Sequence, residues 1–510
     1  MALEDDPTNV AALNNLGLVA PRAEKATLFR KALAIAPDNV DALANLAEVL
    51  AAEGDVEGAV AHFRKALLLR PDWVEVHFAL GRLFQLNDRL VEAASCFSLC
   101  VNLRPDYLPA IFNLGCVFAL AGVLRGSKEA DQFAIEWFQR AAKLAPGVEV
   151  VNFQLARLLE DSGRFAEARP YHDKVPRPLP LEIVPAVEHR RTVLVLCTPS
   201  SGNTPFRQLL PDRVNSLIRW QIDYATDEQQ AALPPYDLAF NVAANADWDR
   251  ECFARAASFA SQTSRPLLNP PDRIARTRRD VTPELLAGVP DVAVAPVARL
   301  SRDEIRAGGL CDRLEKAGPT WPMIVRPFGQ QGGVGVRLAK TAADLEAMSF
   351  EEVDFYYFIA FCDYRSGDGH YRKYRTIFVD RRPYHYHLAI SPNWLVHYFS
   401  AGMLGENWKQ EEERRFFERP AEALGARAAA AVAAIGERLD LDYAGVDYTV
   451  LPDGRVFVFE ANATMSVYFP EEAEYAYKIP RVQAILAAFE DMMERRIQAP
   501  RAPKPTAIGG

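Results

Sequence analysis

The sequence predicts a multidomain fold in which an all-α repeat solenoid precedes an α/β region. Proline recurs every 34 residues in the first third of the chain, at Pro37, Pro71 and Pro105. A proline-rich stretch follows, and from residue 190 to 496 short apolar runs alternate with helix-like segments. A fixed period of this length indicates stacked helical units. Alternating strand-like and helix-like segments indicate strands covered by helices.

The composition is that of an ordinary globular protein and excludes several functional classes. The 510 residues leave room for several domains, and 49% of them are apolar and 25% charged. A formal net charge of −9 argues against a general binder of nucleic acid or membrane surfaces, which needs a basic face. The seven cysteines include no CxxC pair, and no apolar run approaches the ~18 residues that span a bilayer. We therefore expect a cytoplasmic protein with reduced thiols and with neither nucleic-acid nor membrane partners.

The N-terminal third consists of copies of one helix-turn-helix pattern. In the copy that starts at Val40, small residues occupy the eighth, twentieth and twenty-seventh positions, and a proline ends the pattern. These residues are Ala47, Ala59, Ala66 and Pro71. Small side chains let paired helices approach closely, and proline stops the second helix. We predict a solenoid over residues 7–173, with a shortened first copy and a seven-residue expansion in the third.

This 34-residue spacing resembles the tetratricopeptide repeat. Arrays of that family form a curved superhelix, so the resemblance implies a concave face that binds a peptide or a partner protein. Alternatively, the array only packs on the rest of the chain or dimerises it. After the array, four prolines within residues 174–185 predict a stiff and extended linker.

A hairpin near the C-terminus carries the clearest sign of a metal site. Two runs rich in β-branched and aromatic residues flank the turn sequence Pro452 to Gly454. With the turn there, Asp447 lies opposite Glu460, and Asn462 falls on the same face by the two-residue period of a strand. Carboxylate and amide oxygens are ligands that Mg²⁺ accepts. The alternative is a surface hairpin with a wet face, but an unpaired carboxylate inside an apolar run is costly.

A glycine-rich loop lies between two predicted strands. The strand before it, Met323 to Phe328, contains Arg326, and the loop runs from Gly329 to Gly335. It lacks the GK[ST] of a Walker P-loop and the helix that follows a dinucleotide fingerprint. Such a loop suits a flap whose backbone N–H groups fold over nucleotide phosphates. The alternative is a loose hairpin tip.

Cationic side chains mark the strands that follow. On the predicted strand Tyr371 to Val379, Lys373 and Arg375 share one face, and the returning strand carries His387. This face can hold phosphate and an anionic substrate, or it is the solvated face of a sheet.

Two further segments offer contacts to a nucleotide. The strand that ends at Cys362 can present backbone groups to an adenine edge, and Asp363 follows it with a carboxylate for a ribose. Arg279 lies in a short cationic segment, where it can reach a phosphate or remain solvated.

Together these motifs resemble the ATP-grasp ligase superfamily over residues 190–496. The nearest patterns are those of D-alanine–D-alanine ligases, glutathione synthetases and the ligases that add glutamate to ribosomal proteins. The metal hairpin matches in residue type and spacing, and the glycine loop matches the phosphate flap. Arg326 stands where the family usually has lysine, but arginine keeps the charge and can grip two oxygens. A second departure is Gly445, where D-alanine–D-alanine ligases carry an oxyanion-stabilising arginine.

The resemblance implies a role for each matching residue. Asp447, Glu460 and Asn462 hold Mg²⁺, with Mn²⁺ as an alternative ion. The implied catalytic residues are Arg375, Arg326 and His387, and the oxyanion role moves to Arg375 or His387. The implied ATP contacts are Arg279, Arg326, Gln331, Gly332, Gly333, Val334, Ala360, Phe361, Cys362, Asp363 and Lys373.

The expected domain limits follow from the repeats, the prolines and this resemblance. They are a repeat solenoid (7–173), a linker (174–188), an N-terminal α/β domain (189–275), a central ATP-grasp subdomain with the glycine flap (276–360), a C-terminal ATP-grasp subdomain with the metal site (361–497) and a disordered tail (498–510).

The chemistry that the resemblance implies is ATP-dependent ligation. A substrate carboxylate attacks the γ-phosphate of ATP, and an amine then displaces phosphate from the acyl-phosphate to form an amide. The expected partners are a small amino-acid-like substrate and a peptide, protein or carrier-bound substrate recruited by the array, and relatives often form homodimers. Two alternatives stay open: a non-catalytic nucleotide-binding scaffold, and a kinase-like phosphotransferase.

Overall fold

The computed structural model describes residues 6, 8–125, 127–199, 202–247, 251–329, 333, 335–470 and 473–499. By its internal contacts the chain divides into two compact units. The first comprises Met1–Leu158 with Ala168–Val175, and the second comprises Leu159–Glu167 with Pro176–Gly510. The finer domain limits expected from the sequence stay predictions. The expected disordered tail lies outside the described residues from residue 500 onward.

The first unit is a helical repeat array in which consecutive helices pack against each other. The helices of the array are α1 (Val10–Val19), α2 (Arg22–Ile35), α3 (Val40–Glu53), α4 (Val56–Leu69), α5 (Val74–Leu86), α6 (Leu90–Leu103), α7 (Leu108–Arg125), α8 (Lys128–Leu144), α9 (Glu149–Asp161) and α10 (Phe165–His172). The end of α9 and the start of α10 belong to the second unit by their contacts. Side-chain oxygens of Asn9, Asn39, Asp55 and Ser127 accept hydrogen bonds from the first turns of their helices. Such caps satisfy backbone N–H groups that have no partner within the helix.

Glycine at the eighth repeat position sets how closely the helices approach. A Cβ atom on Gly17, Gly81 or Gly115 would lie within 2.5 to 2.7 Å of a phenylalanine ring on the following helix. The rings are those of Phe29, Phe97 and Phe138. Each ring is buried, so the glycine and the aromatic side chain form the core of their repeat.

The substitution Gly81→Ala tests this packing. The added methyl group would meet the Phe97 ring at 2.7 Å, and overpacking of this kind costs about 1–3 kcal/mol of folding free energy. We expect a lower urea midpoint for the array. The matched control is Gly147→Ala, because no atom lies within 4 Å of its added methyl group. Equal midpoints for both variants would contradict the packing account.

The described residues of the second unit form three sheets. Its strands are β1 (Glu182–Val184), β2 (Arg191–Cys197), β3 (Asn215–Gln221), β4 (Leu238–Asn241), β5 (Leu267–Leu268), β6 (Val292–Val294), β7 (Val297–Ser301), β8 (Met323–Pro327), β9 (Arg337–Ala339), β10 (Phe355–Ala360), β11 (Tyr371–Val379), β12 (Arg382–Ser391), β13 (Tyr443–Val450) and β14 (Val456–Asn462). The α-helices are α11 (Asp227–Ala231), α12 (Glu251–Gln262), α13 (Pro271–Ala275), α14 (Thr282–Leu285), α15 (Arg302–Arg306), α16 (Leu310–Ala317), α17 (Ala342–Glu346), α18 (Asn407–Glu418), α19 (Pro420–Leu424), α20 (Ala426–Leu439) and α21 (Ile479–Gln498).

The sheets differ in strand direction. The first has the order β1-β3-β2-β4-β5, with β1 antiparallel to β3 and the other pairs parallel. The second, β7-β10-β8-β9, is antiparallel. The third, β12-β11-β13-β14-β6, is antiparallel except for the parallel pair of β14 and β6. A region of mixed sheets therefore follows the helical array.

The predicted C-terminal hairpin is present. β13 and β14 pair antiparallel, with Asp447 opposite Glu460 and Gly445 opposite Asn462. β11 pairs with the other edge of β13, so that Arg375 lies opposite Asp447. β13 is thus an inner strand. Its pairing with β11 and β14 brings charged side chains of the three strands together.

One helix prediction is corrected, and the linker region contains one strand. The sequence predicts one helix from Pro420 to Leu439, but Gly425 interrupts it with φ +84°, a backbone region that favours glycine. The predicted linker contains the short strand Glu182–Val184, which pairs with β3. Among the described residues, no helix combines the length and apolarity needed to cross a membrane.

Candidate functional site

A cavity of about 380 Å³ lies in the second unit. Its volume falls within the range of small-molecule binding sites, about 300–1,000 Å³. The cavity gathers side chains and backbone from β8, β10, β11, β12, β13 and β14. The predicted site residues that line it are Arg279, Arg326, Ala360, Phe361, Cys362, Lys373, Arg375, His387, Asp447, Glu460 and Asn462.

Asp447 is held by two cations from β11. Arg375 donates from Nε to Oδ1 at 2.6 Å and from its terminal nitrogen to Oδ2 at 2.8 Å. Lys373 Nζ lies 3.2 Å from Oδ2. Burial opposes ionisation of this carboxyl, but Arg375 and Lys373 outweigh it, so the pKa of Asp447 lies well below its usual range. The carboxylate is therefore charged at neutral pH.

Glu460 is held by an arginine from a different segment. Arg279 lies 3.0 Å from Glu460 Oε1, and Asn462 Nδ2 donates to the same oxygen at 2.6 Å. Burial again opposes ionisation, but Arg279 and Arg326 outweigh it and bring the pKa of Glu460 to about 2. The nearby Asp447 carboxylate acts in the opposite direction, which indicates that the two negative charges repel each other.

Arg279 is fixed by groups that the sequence analysis did not identify. Its backbone N–H donates to Asp247 Oδ1 at 3.2 Å, and its guanidinium donates to the Phe459 carbonyl at 3.3 Å. Tyr357 donates to the same Asp247 oxygen at 2.9 Å. Asp247 follows β4, a parallel strand, and the carboxyl ends of such strands commonly bind ligands. That rule was the available signal for Asp247.

Arg326 lies in a cationic environment. Burial and, next, the positive charge of Arg279 lower the pKa of Arg326, and together they outweigh Glu460 and Asp247. Two arginines that share one wall repel each other, and an anion between them would relieve that repulsion. This wall of the cavity therefore favours an anionic ligand.

His387 is a buried, neutral imidazole in the cavity wall. Burial lowers its pKa well below the ordinary value, and Arg375 and Lys478 lower it further. Its ring stacks on Tyr398 with centroids 4.6 Å apart. Nδ1 of His387 is buried without a hydrogen-bond partner among the described residues. A neutral imidazole can donate one hydrogen bond and accept one.

Backbone groups at Ala360 and Phe361 lie in the cavity lining. The Ala360 N–H donates to the Pro296 carbonyl at 3.1 Å, and the Phe361 N–H donates to the Pro322 carbonyl at 2.9 Å. Proline has no N–H, so Pro296 cannot return the ladder hydrogen bond to the Ala360 carbonyl. Apolar residues also line the cavity, including Val294, Val297, Ile324, Ile359, Leu395 and Phe457. Backbone polarity inside an apolar wall is what an adenine edge requires.

The other residues predicted to contact ATP are not part of the described cavity lining. Asp363 is exposed and accepts a hydrogen bond from the Arg365 N–H at 3.1 Å, and it does not belong to the described cavity lining. Gly333 has φ +79°, and a Cβ there would lie 3.5 Å from Leu395. Gln331, Gly332 and Val334 lie outside the described residues.

Gly445 cannot take the arginine that D-alanine–D-alanine ligases carry. A Cβ on Gly445 would lie 2.5 Å from the Met465 sulfur and 3.0 Å from its Cβ. Met465 also lines the cavity, so it fills the space beside the hairpin. A long side chain at position 445 would displace this buried methionine.

The residue types at the hairpin suit Mg²⁺. Asp447 and Glu460 are ionised, and carboxylate oxygens are the ligands that this ion prefers. Asn462 Oδ1 accepts hydrogen bonds from the Thr464 backbone N–H at 2.9 Å and from its hydroxyl at 3.0 Å. In the part of the chain that the structure describes, no group of three or more His, Cys, Asp or Glu side chains is arranged to hold a metal. An ion at this position would have two carboxylates and one amide and would replace their present cations.

The helical array is similar to a known repeat family. A family model described as tetratricopeptide repeat matches residues 23–83. The N-terminal region therefore contains tetratricopeptide repeats, as the sequence predicts. No curated protein matches the chain.

Each of the following solved structures matches about a third of the chain. A crystal structure of MamA is 22% identical, covers 30% of this chain and 85% of its own, and has a TM-score of 0.28. The protein pilF of Pseudomonas aeruginosa is 26% identical, covers 32% of this chain and 74% of its own, and has a TM-score of 0.29. YrrB, described as a TPR protein with an unusual peptide-binding site, is 19% identical and has a TM-score of 0.29. The match covers 34% of this chain and 88% of YrrB.

The depressed pKa of His387 predicts a pH-dependent stability. In the unfolded chain, His387 has a pKa of about 6.5 and binds a proton below that pH. In the folded protein its pKa is much lower, so the imidazole stays neutral and the free energy of unfolding falls as pH falls. The variant His387→Asn should lose less unfolding free energy than the native protein between pH 7.5 and about 5.5. Urea unfolding at several pH values measures this, with His62→Asn in the array as the control. Parallel curves for the native protein and His387→Asn would contradict the buried, neutral imidazole.

Proposed function

We propose that the second unit is an ATP- and Mg²⁺-dependent ligase of the ATP-grasp type. It activates a carboxylate as an acyl-phosphate and joins it to an amine. The observation that carries the proposal is the cavity in which Arg279, Arg326, Lys373 and Arg375 lie with the paired carboxylates of the hairpin. Clustered cations that face a carboxylate pair match the opposite needs of a triphosphate and its divalent ion.

The sheet arrangement supports the same proposal. β8, which contains Arg326, pairs antiparallel with β9, and the glycine-rich segment lies between these two strands in the sequence. The carboxylate hairpin belongs to a different sheet. A nucleotide held between these two sheets would place its phosphates near Arg326 and its metal near the hairpin. The Ala360 carbonyl and the apolar residues of the cavity lining are suited to the adenine ring.

The ion pairs Arg375–Asp447 and Arg279–Glu460 can be replaced by contacts to a bound ion and to phosphate. Mg²⁺ would take Asp447 and Glu460 as ligands and would neutralise phosphate charge there. The released guanidinium groups of Arg375 and Arg279 would then bind phosphate oxygens. Each separated charge gains a partner of opposite sign, so the exchange leaves no charge buried alone.

The proposed catalytic work is positioning and electrostatic stabilisation. Arg279 and Arg326 hold the phosphates, and Arg375 stabilises the charge that is transferred. Neutral His387 lies in the same wall and can donate a hydrogen bond to the developing acyl oxyanion, a role that position 445 cannot fill.

We further propose that the repeat array recruits the larger substrate. Tetratricopeptide repeats commonly bind peptides or proteins on their concave face, and YrrB is described as having a peptide-binding site. The substrate of this chain would be a peptide, a protein or a carrier-bound acid or amine. The cytoplasmic location and a homodimeric state stay predictions.

A nucleotide-binding scaffold is the second candidate. The observation that favours it is that both carboxylates of the hairpin already hold cations at 2.6 to 3.2 Å. If nucleotide binding left these ion pairs intact, the site would bind the nucleotide but would not catalyse turnover.

The variant Glu460→Gln separates the two candidates. It keeps the shape of the side chain but removes the charge on which the metal and Arg279 depend. We expect Mg²⁺-dependent ADP formation, assayed with a panel of amino acids and short peptides, to fall by at least about 100-fold. The matched control is Glu188→Gln, an exposed residue that pairs with Arg213 on the surface. Undiminished turnover in Glu460→Gln, with circular dichroism unchanged, would refute the metal assignment.

A further inference from the structure

The turn between α9 and α10 is part of the second unit. Residues Leu159–Glu167 belong to that unit by their contacts, although the helices on either side extend into the repeat array. Gly163, in this turn, has φ +75°, and a Cβ there would lie 2.8 Å from the Phe328 carbonyl oxygen. Backbone therefore approaches backbone at this point, and only glycine fits.

Hydrogen bonds and an aromatic pair complete the contact. The Asp354 N–H donates to the Gly163 carbonyl at 3.3 Å, and the Ala166 N–H donates to Asp354 Oδ2 at 2.9 Å. The rings of Phe165 and Phe328 meet edge to face, with centroids 5.5 Å apart. The turn is therefore hydrogen-bonded to Asp354, contacts the Phe328 ring and closely approaches the Phe328 carbonyl.

Phe328 stands where β8 loses a neighbour. β9 pairs with β8 only over Met323 to Val325 in the described chain, whereas Arg326 pairs only with Tyr357 of β10. Beyond Val325 the strand is thus supported on one side by β10 and, two residues after Arg326, by the turn. The Phe328 N–H also donates to the Phe355 carbonyl at 3.0 Å.

We propose that this turn of the last repeat is a positioning element for Arg326. Phe165, Gly163 and Asp354 fix the end of β8, and through it they fix the direction in which Arg326 enters the cavity. The role of Arg326 in holding phosphate rests on the proposed function, whereas the fixing of the strand does not.

The experiment compares ligands that differ only in phosphate. Binding of ATP and of adenosine is measured by calorimetry in the full chain with Mg²⁺, for the native protein, Phe165→Ala and Phe165→Leu. Loss of the aromatic contact should weaken ATP binding about two- to tenfold and leave adenosine binding unchanged. Phe165→Leu keeps the apolar contact and should show a smaller loss. The control is Phe133→Ala, an exposed phenylalanine of α8.

A double-mutant cycle isolates the pathway to Arg326. In an Arg326→Ala background, Phe165→Ala should cause no further loss of ATP affinity, because the group it positions is gone. Additive losses would overturn the proposal, as would an unchanged ATP affinity in Phe165→Ala. A parallel loss of ATP and adenosine binding would also overturn it, because general loosening of the fold would then be the cause.

Hydrogen exchange keeps the inference separate from the proposed function. If the native protein binds no ATP, the proposed function fails, and the exchange of residues 323–329 then decides the inference. Faster exchange there in Phe165→Ala than in Phe133→Ala would support the positioning role. Equal exchange in the two variants would overturn it.

Discussion

The arrangement of the second unit depends on compensation of buried charge at the hairpin. Asp447 and Glu460 lie opposite each other on neighbouring strands, where two carboxylates repel. Arg375 and Lys373 neutralise the first, and Arg279 neutralises the second. Removal of one member of such a set leaves a buried charge alone, at a cost of about 3–5 kcal/mol. The strand order is therefore constrained by electrostatics as well as by apolar packing.

The same charges give the cavity its chemical capacity. The cations that stabilise the carboxylates are suited to phosphate, and the carboxylates are suited to a divalent ion. A bound nucleotide and its metal can thus replace the ion pairs within the protein by contacts between protein and ligand. Arg326 differs, because burial and its neighbour Arg279 lower its pKa, so that an added anion would stabilise it. The proposed positioning of Arg326 by the turn at Gly163 would hold this cation where an added anion can reach it.

Local patterns in the sequence were sufficient for the parts of the site that lie within one hairpin. A turn at Gly454 and the two-residue period placed Asp447 opposite Glu460, and alternation placed Lys373 with Arg375. The pairing of Arg375 with Asp447 was not predictable in this way, because it depends on the order of strands that are distant in sequence. Asp247 and the Gly163 turn were missed for the same reason. The break at Gly425 was missed because an alanine-rich run masks one glycine.

The most direct test of the account is a structure of the full chain with Mg²⁺ and a non-hydrolysable ATP analogue. The account predicts the ion between Asp447 and Glu460, and the phosphates in contact with Arg279 and Arg326. It also predicts that Arg375 leaves Asp447 and turns towards the terminal phosphate. An empty cavity with the pairs Arg375–Asp447 and Arg279–Glu460 intact, or a nucleotide bound elsewhere, would contradict it.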